Sequence, residues 1–78
     1  MILLDVRTKE EYDIDHIPGA ILCDIMNLLQ GDFPDIDKNE EIILYCESGN
    51  RSMMAKNMLD GAGFTNVVDA GSIDNLRK

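Results

Sequence analysis

Three short apolar runs constrain this chain more than any other feature: Ile2-Leu3-Leu4-Asp5-Val6, Ala20-Ile21-Leu22-Cys23-Asp24-Ile25 and Ile42-Ile43-Leu44-Tyr45. None of them alternates apolar with polar residues. Alternation marks a strand with one wet face, whereas an unbroken run marks a strand covered on both faces, as in a parallel sheet. Parallel strands need long crossover connections, and helices are the usual form of these. Asn66-Val67-Val68-Asp69 supplies a last short strand. The order βαβαβαβ therefore predicts an α/β fold, a parallel β-sheet flanked by helices on both faces.

The helices have their own local signals. Thr8-Lys9-Glu10-Glu11 fits a capping box, with Thr8 as N-cap and Glu11 reaching back from the third helical position. Ile17-Pro18-Gly19 ends that helix. Residues 27–30 fit a brief helix, and Gly31 to Asn39 a loop. A longer helix is predicted over about Ser52 to Asp60. Met54, Ala55, Met58, Leu59 and Ala62 fall on its apolar face, with Lys56, Asn57 and Asp60 opposite. Gly61 and Gly63 are its stop signals. The five methionines read mainly as adaptable packing.

With 78 residues, the chain is expected to be one domain spanning 1–78. Its 15 acidic and 7 basic residues give a formal charge of −8. That balance argues against nucleic acid or an anionic membrane face as partner. No apolar run approaches the roughly 18 residues of a membrane span. The opening MILLDVR lacks the basic start and long apolar stretch of a secretory signal, so a cytoplasmic location is expected. Two cysteines do not make a disulfide scaffold, although their number allows one Cys23–Cys46 bridge.

Cys46 is the residue with chemical promise. It follows a buried strand and opens a polar loop, Cys46-Glu47-Ser48-Gly49-Asn50-Arg51-Ser52, which feeds a helix. Ligands of open α/β sheets bind beyond the carboxyl ends of the strands. Inward-pointing amides of such a loop form an anion nest, and the helix N-terminus adds partial positive charge. Arg51 adds a fixed cation. These effects favour a thiolate, so a thiol pKa in the activated range of roughly 3.5 to 7.5 is expected. Gly49 suits a tight curl, and Ser48 and Ser52 offer hydroxyl hydrogen bonds. A lone cysteine is more often a small apolar filler. Here the strand–Cys–Gly–Arg–helix arrangement favours chemistry.

This loop resembles the active-site loop of the rhodanese domains, the sulfurtransferases, in a Cys-x-Ser-Gly-x-Arg-Ser pattern. Three further stretches resemble the family in the same order. They are Leu4-Asp5-Val6-Arg7 with Glu11-Tyr12, His16-Ile17-Pro18-Gly19-Ala20, and Gly63-Phe64-Thr65-Asn66-Val67. The resemblance implies a five-stranded parallel sheet. It implies that Cys46 takes a sulfane sulfur from a small sulfur anion such as thiosulfate, or from a persulfide, and becomes a persulfide. The atom then passes to a thiophilic acceptor: cyanide, a thiol or a protein thiol. No cofactor is implied, because the cysteine itself holds the transferred atom. Glu47, Ser48, Gly49, Asn50, Arg51 and Ser52 are the implied substrate-binding residues.

Departures from the family pattern accompany the match. Relatives usually carry a further short strand and helix ahead of the Leu4-Asp5 strand. The family's usual Gly-Gly and aromatic residue stand here as Ala70-Gly71-Ser72-Ile73, without the aromatic. Related phosphatases place five residues between Cys and Arg, and this chain has four. A tighter loop suits one extra sulfur better than a tetrahedral phosphate, so phosphatase or arsenate reductase chemistry ranks below sulfur transfer. A module that only binds a partner is the alternative from another class, and it needs neither Cys46 nor Arg51. Glu47 sets a carboxylate where a dianionic donor would approach, so weak thiosulfate turnover is expected.

The other candidates read as structural. Asp5 and Arg7 form a tempting pair, but a residue after a strand commonly anchors a turn. His16, the only histidine, belongs to a turn. One His and two Cys, the latter 23 positions apart, match no zinc spacing, so no metal is expected. Cys23 reads as core, with a resolving thiol as its alternative role. A monomer is expected.

Overall fold

The computed structural model describes residues 1–77. Strand β1 spans Ile2–Asp5, helix α1 Lys9–Ile14, β2 Ile21–Leu22 and α2 Ile25–Leu29. Strand β3 spans Ile42–Cys46, α3 Asn50–Gly61 and β4 Val67–Ser72, and a 3-10 helix over Ile73–Leu76 follows. The strands form one sheet in the order β2-β1-β3-β4, every pair parallel. Leu4 pairs with Leu44 and Asp5 with Tyr45, so the carboxyl ends of β1 and β3 lie level.

Both faces are covered, as the unbroken apolar runs require. Leu4, Val6, Ile42, Leu44, Cys46, Ala55, Leu59 and Phe64 pack together with Ile25 and Leu28 on the face of α2 and α3. Tyr45, Ala20 and Ile73 form a smaller cluster on the other face, with Tyr12 of α1 against it. Full burial of one such aliphatic side chain stabilises by about 1.5–3 kcal/mol.

Local signals set most helix ends. The capping box forms as the sequence predicts: Glu11 N–H donates to Thr8 Oγ1, and Thr8 N–H donates to Glu11 Oε1. The second apolar run behaves differently from expectation. Only Ile21 and Leu22 pair with β1, because Asp24 accepts from Met26 N–H and caps a helix that takes Ile25. Helix α3 begins at Asn50, ahead of the predicted Ser52. It buries Ser52, Ala55 and Leu59, while Met53 and Met54 stay about half exposed. Thus Met54 does not belong to the packed face. Strand β4 runs on to Ser72, past the predicted Asp69, through an irregularity opposite Leu44–Cys46.

The described residues hold four strands where the resemblance implied five. Among them, no helix is long and apolar enough to cross a membrane. The order β2-β1-β3 means that the chain winds outward from β1 first to one side and then to the other. That reversal opens a crevice beyond the carboxyl ends of β1 and β3, the general ligand position in such sheets. Arg7, Glu11, Asp15 and Glu47 line a hollow there, while Asp5 and Cys46 are wholly buried.

Candidate functional site around Cys46

Cys46 is the last residue of β3 and is wholly covered, its neighbours including Val6 and Ala55. The loop after it curls back so that Gly49 N–H donates to Cys46 Sγ at 2.9 Å. Ser52, buried in the first turn of α3, lies with its Oγ 3.6 Å from the sulfur. Ser52 Oγ accepts from the Cys46 thiol and donates its own proton to Gly49 O at 3.1 Å, tying the loop to its helix. The curl depends on Gly49, whose φ of 102° is a left-handed conformation that L side chains rarely adopt. A Cβ there would also sit 3.7 Å from Gly71 Cα, where β4 passes close by.

Burial pushes the Cys46 thiol up. The Ser52 hydroxyl and the Ser52, Gly49 and Ser48 amides act the other way and leave it below its ordinary value. Cys23 lacks such donors: burial among apolar residues, with Asp24 and Asp32 nearby, pushes its pKa up to about 11. Both cysteines are free thiols. Each lies one residue past a strand pair of β1, with Cys23 N–H donating to Asp5 O, so the β1 strand separates them.

Arg51 turns its guanidinium to Glu11 and makes no hydrogen bond to the sulfur among the described residues. It forks onto Glu11, with Nη1 to Oε1 at 2.6 Å and Nη2 to Oε2 at 2.9 Å. Its own pKa is raised first by that bond to Glu11 and also by the Cys46 charge. The hydrogen bonds of Arg51 thus anchor the loop's end to α1, with its charge near enough to Cys46 to feel it. In return, the Arg51 bond holds Glu11 down to about 2, against a desolvation effect that raises it, with help from Thr8 N–H.

That depression has a pH consequence. A carboxylate with a lowered folded pKa contributes stability that is present above its unfolded value of 4.5 and lost as pH falls towards about 2. Wild type is expected to lose stability across that window more steeply than Glu11→Gln, read as urea midpoints from pH 6 to pH 2. Parallel curves would show that the Glu11–Arg51 pair adds nothing.

Glu47 turns neither to solvent alone nor into the cradle. Its Oε1 accepts from Arg7 Nη1 at 2.9 Å, and its backbone O accepts from Ser72 Oγ at 2.9 Å. Ser48 and Asn50 are exposed, with Asn50 opening α3. Arg7 is almost fully buried beside Asp5. Arg7 Nε donates to both Asp5 oxygens, Nη2 donates to Asp5 Oδ2, and Tyr45 Oη donates to the same oxygen at 2.7 Å. Burial and the Asp5 bond push Tyr45 up to about 12, so it stays a donor. The Asp5–Arg7 pair is thus structural in its bonds, as the sequence reading expected, yet Arg7 also touches the loop. His16 stacks on Tyr12 with ring centroids 3.8 Å apart and stays in its turn.

Glu11, Tyr45 and Ser72 join the site by contacts that the sequence did not announce. Glu11 carried a visible signal, the capping box, but for another role. Among the described residues, no group of three or more His, Cys, Asp or Glu is placed to hold a metal ion.

The family model described as Rhodanese-like domain matches residues 1–75. The chain is 34% identical to thiosulfate sulfurtransferase PspE of Escherichia coli, covering 94% of this chain and 71% of that protein. It is 38% identical to adenylyltransferase and sulfurtransferase UBA4 of Candida glabrata over 87% of this chain. It spans 18% of the length of that relative. Among solved structures, it superposes on the rhodanese-like domain of the Alr3790 protein of Anabaena with a TM-score of 0.88 and 27% identity. That match covers 99% of this chain and 90% of the other.

Proposed function

Because the chain belongs to the rhodanese-like domain family, we propose that it is a sulfurtransferase with Cys46 as the covalent carrier. The observation that supports this most is the 2.9 Å hydrogen bond from Gly49 N–H to Cys46 Sγ at the carboxyl end of β3. Oriented amides that stabilise a thiolate also stabilise the persulfide anion that replaces it. In the first step the Cys46 thiolate attacks the outer sulfur of thiosulfate. A Cys46 S–S bond forms, the donor's S–S bond breaks, and its electron pair leaves with sulfite. In the second step a nucleophile such as cyanide or a thiol attacks the outer sulfur, and Cys46 leaves as the thiolate. No cofactor enters either step.

The covered sulfur sets a condition on this chemistry. Cys46 has no exposed surface, so a donor meets the sulfur only after a local shift of what covers it. Protein persulfides are a second class of donor. The observation in their favour is that both guanidiniums bordering the loop already hold carboxylates, Arg7 with Asp5 and Glu47 and Arg51 with Glu11. A dianion such as thiosulfate finds no unpaired arginine there, so its turnover is expected to be weak.

Intact mass after incubation with thiosulfate tests the proposal. A gain of one sulfur atom, reversed by cyanide, is the expected result. A chain that takes sulfur from neither thiosulfate nor a low-molecular-weight persulfide is a binding module instead. Arg51→Ala is expected to slow sulfur uptake about tenfold, since one charge interaction of roughly 1.4 kcal/mol is lost. Arg51→Lys should recover part of it, because a point charge cannot replace the planar fork on Glu11. An unchanged rate in folded Arg51→Ala would remove Arg51 from the reaction.

A further inference from the structure

We propose that Arg7 is a positioning residue for Cys46: through Glu47 it fixes the peptide that follows the sulfur, and with it the amide cradle of residues 48–49. The proposal rests on Cys46 being the reactive sulfur. It gives the Asp5–Arg7 pair, which folding alone would explain, a second role at the site.

Three observations support it. The first is that Arg7 is itself immobile. Its Nε and Nη2 are occupied by Asp5, Nη2 also donates to Asp15 O, and the guanidinium lies 5.7 Å from the centre of the Tyr45 ring. Nη1 alone is left to reach outward, and it reaches Glu47. A donor already fixed by other bonds holds its partner at little further entropic cost.

The second is the sparse anchoring of the loop. Between Cys46 and the start of α3, the side-chain ties among the described residues are Arg7 to Glu47 Oε1, Ser72 Oγ to Glu47 O, Gly49 N–H to Cys46 Sγ, and Ser52 Oγ to Gly49 O. Two of these four hold Glu47, and they are the two that reach it from outside the loop and its helix. The Glu47 peptide leads directly into Ser48 and Gly49, and the Gly49 amide donates to the sulfur. The third is a symmetry of attachment. The loop's far end is held by Glu11, so the segment of residues 7–11 grips the loop at both ends.

The sign of one measurement separates positioning from a plain charge effect. Glu47 is an anion next to Cys46 in the chain. If it acted only by its charge, removing it would favour the thiolate and lower the thiol midpoint. If it acts as Arg7's handle on the loop, removing it loosens the amides and raises the midpoint. Iodoacetamide alkylation of the full chain is followed against pH for wild type, Glu47→Gln and Glu47→Ala, with the labelled cysteine assigned by peptide mass. Glu47→Ala is expected to raise the Cys46 midpoint by about one pH unit, the loss of one hydrogen bond's worth of support. Glu47→Gln keeps an oxygen for Arg7 Nη1 and should shift it less. The plateau rate reports access to the covered sulfur and is expected to rise as the loop loosens. The midpoint alone reports the cradle.

An unchanged or lowered midpoint in Glu47→Ala overturns the proposal. Glu47 is more than half exposed in its side chain, so both variants are expected to fold, and their thermal midpoints check this. Sulfur uptake by wild type is scored separately by mass. Uptake with an unmoved midpoint defeats the positioning role alone. A raised midpoint without uptake from any sulfane donor defeats the sulfurtransferase reading and leaves the positioning of a reactive thiol intact.

Discussion

Cys46→Ser is expected to reduce thiosulfate-to-cyanide turnover by about a thousandfold or more, since the proposed covalent carrier is lost. A serine hydroxyl in the same cradle keeps its proton at neutral pH and forms no stable bond to a transferred sulfur. The loss should not come from unfolding. Serine is close in size, and Gly49 N–H and Ser52 Oγ stand ready to bond its hydroxyl. Circular dichroism and a thermal midpoint near that of wild type would confirm this. Cys23→Ala supplies the contrast. Its thiol, pushed up to about 11 by burial, stays protonated across the physiological range, so turnover should be kept. Turnover retained in folded Cys46→Ser, or lost in folded Cys23→Ala, would move the chemistry away from Cys46.

Asp5→Ala should destabilise the fold by about 3–5 kcal/mol, the usual cost of leaving one member of a buried pair uncompensated. Asp5 is wholly buried and accepts from Arg7 Nε, Nη2 and N–H and from Tyr45 Oη. Without it the Arg7 guanidinium, with a side chain 4% exposed, keeps only Glu47 and Asp15 O as partners. Tyr45 Oη also loses its acceptor while still accepting from Ile17 N–H. A domain of this size has roughly 5–15 kcal/mol in total, so the variant should show a strongly lowered urea midpoint. Asp5→Asn keeps an acceptor in the same place and should fall between the two. A change within about 1 kcal/mol for Asp5→Ala would mean that the network contributes little to folding.

These two effects differ in how far the sequence revealed them. The placement of the loop around Cys46 was legible because its signals are local. A strand's carboxyl end, a glycine and a helix start within seven residues place amides around one sulfur, whatever the rest of the chain does. The same holds for the Thr8–Glu11 capping box, whose partners are three residues apart. It holds too for the unbroken apolar runs, since a strand must be covered on both faces to make such a run favourable. Those signals gave the α/β class and the position of the loop that curls around Cys46.

What the sequence left open depends on contacts between distant segments. Arg7 meets Glu47, and Glu11 meets Arg51, each across 40 positions. These pairs exist because β1 and β3 are neighbours with level carboxyl ends, which follows from the strand order β2-β1-β3-β4. Apolar periodicity says that a strand is buried, not beside which strand. Met54 shows the same limit on a helix. Its spacing fits the apolar face, but the rotation of α3 against β3 and β4 buries Ser52, Ala55 and Leu59 instead. The continuation of β4 to Ser72 likewise came from an irregular pairing with β3, and it brings the Ser72 hydroxyl onto Glu47 O. The sequence by itself thus determined the central strands β1 and β3, the Thr8–Glu11 cap and the place of the thiol loop, because each is decided within a few residues. Only the tertiary structure decided which charges grip that loop, because side chains 40 positions apart meet only once the parallel strands have chosen their neighbours.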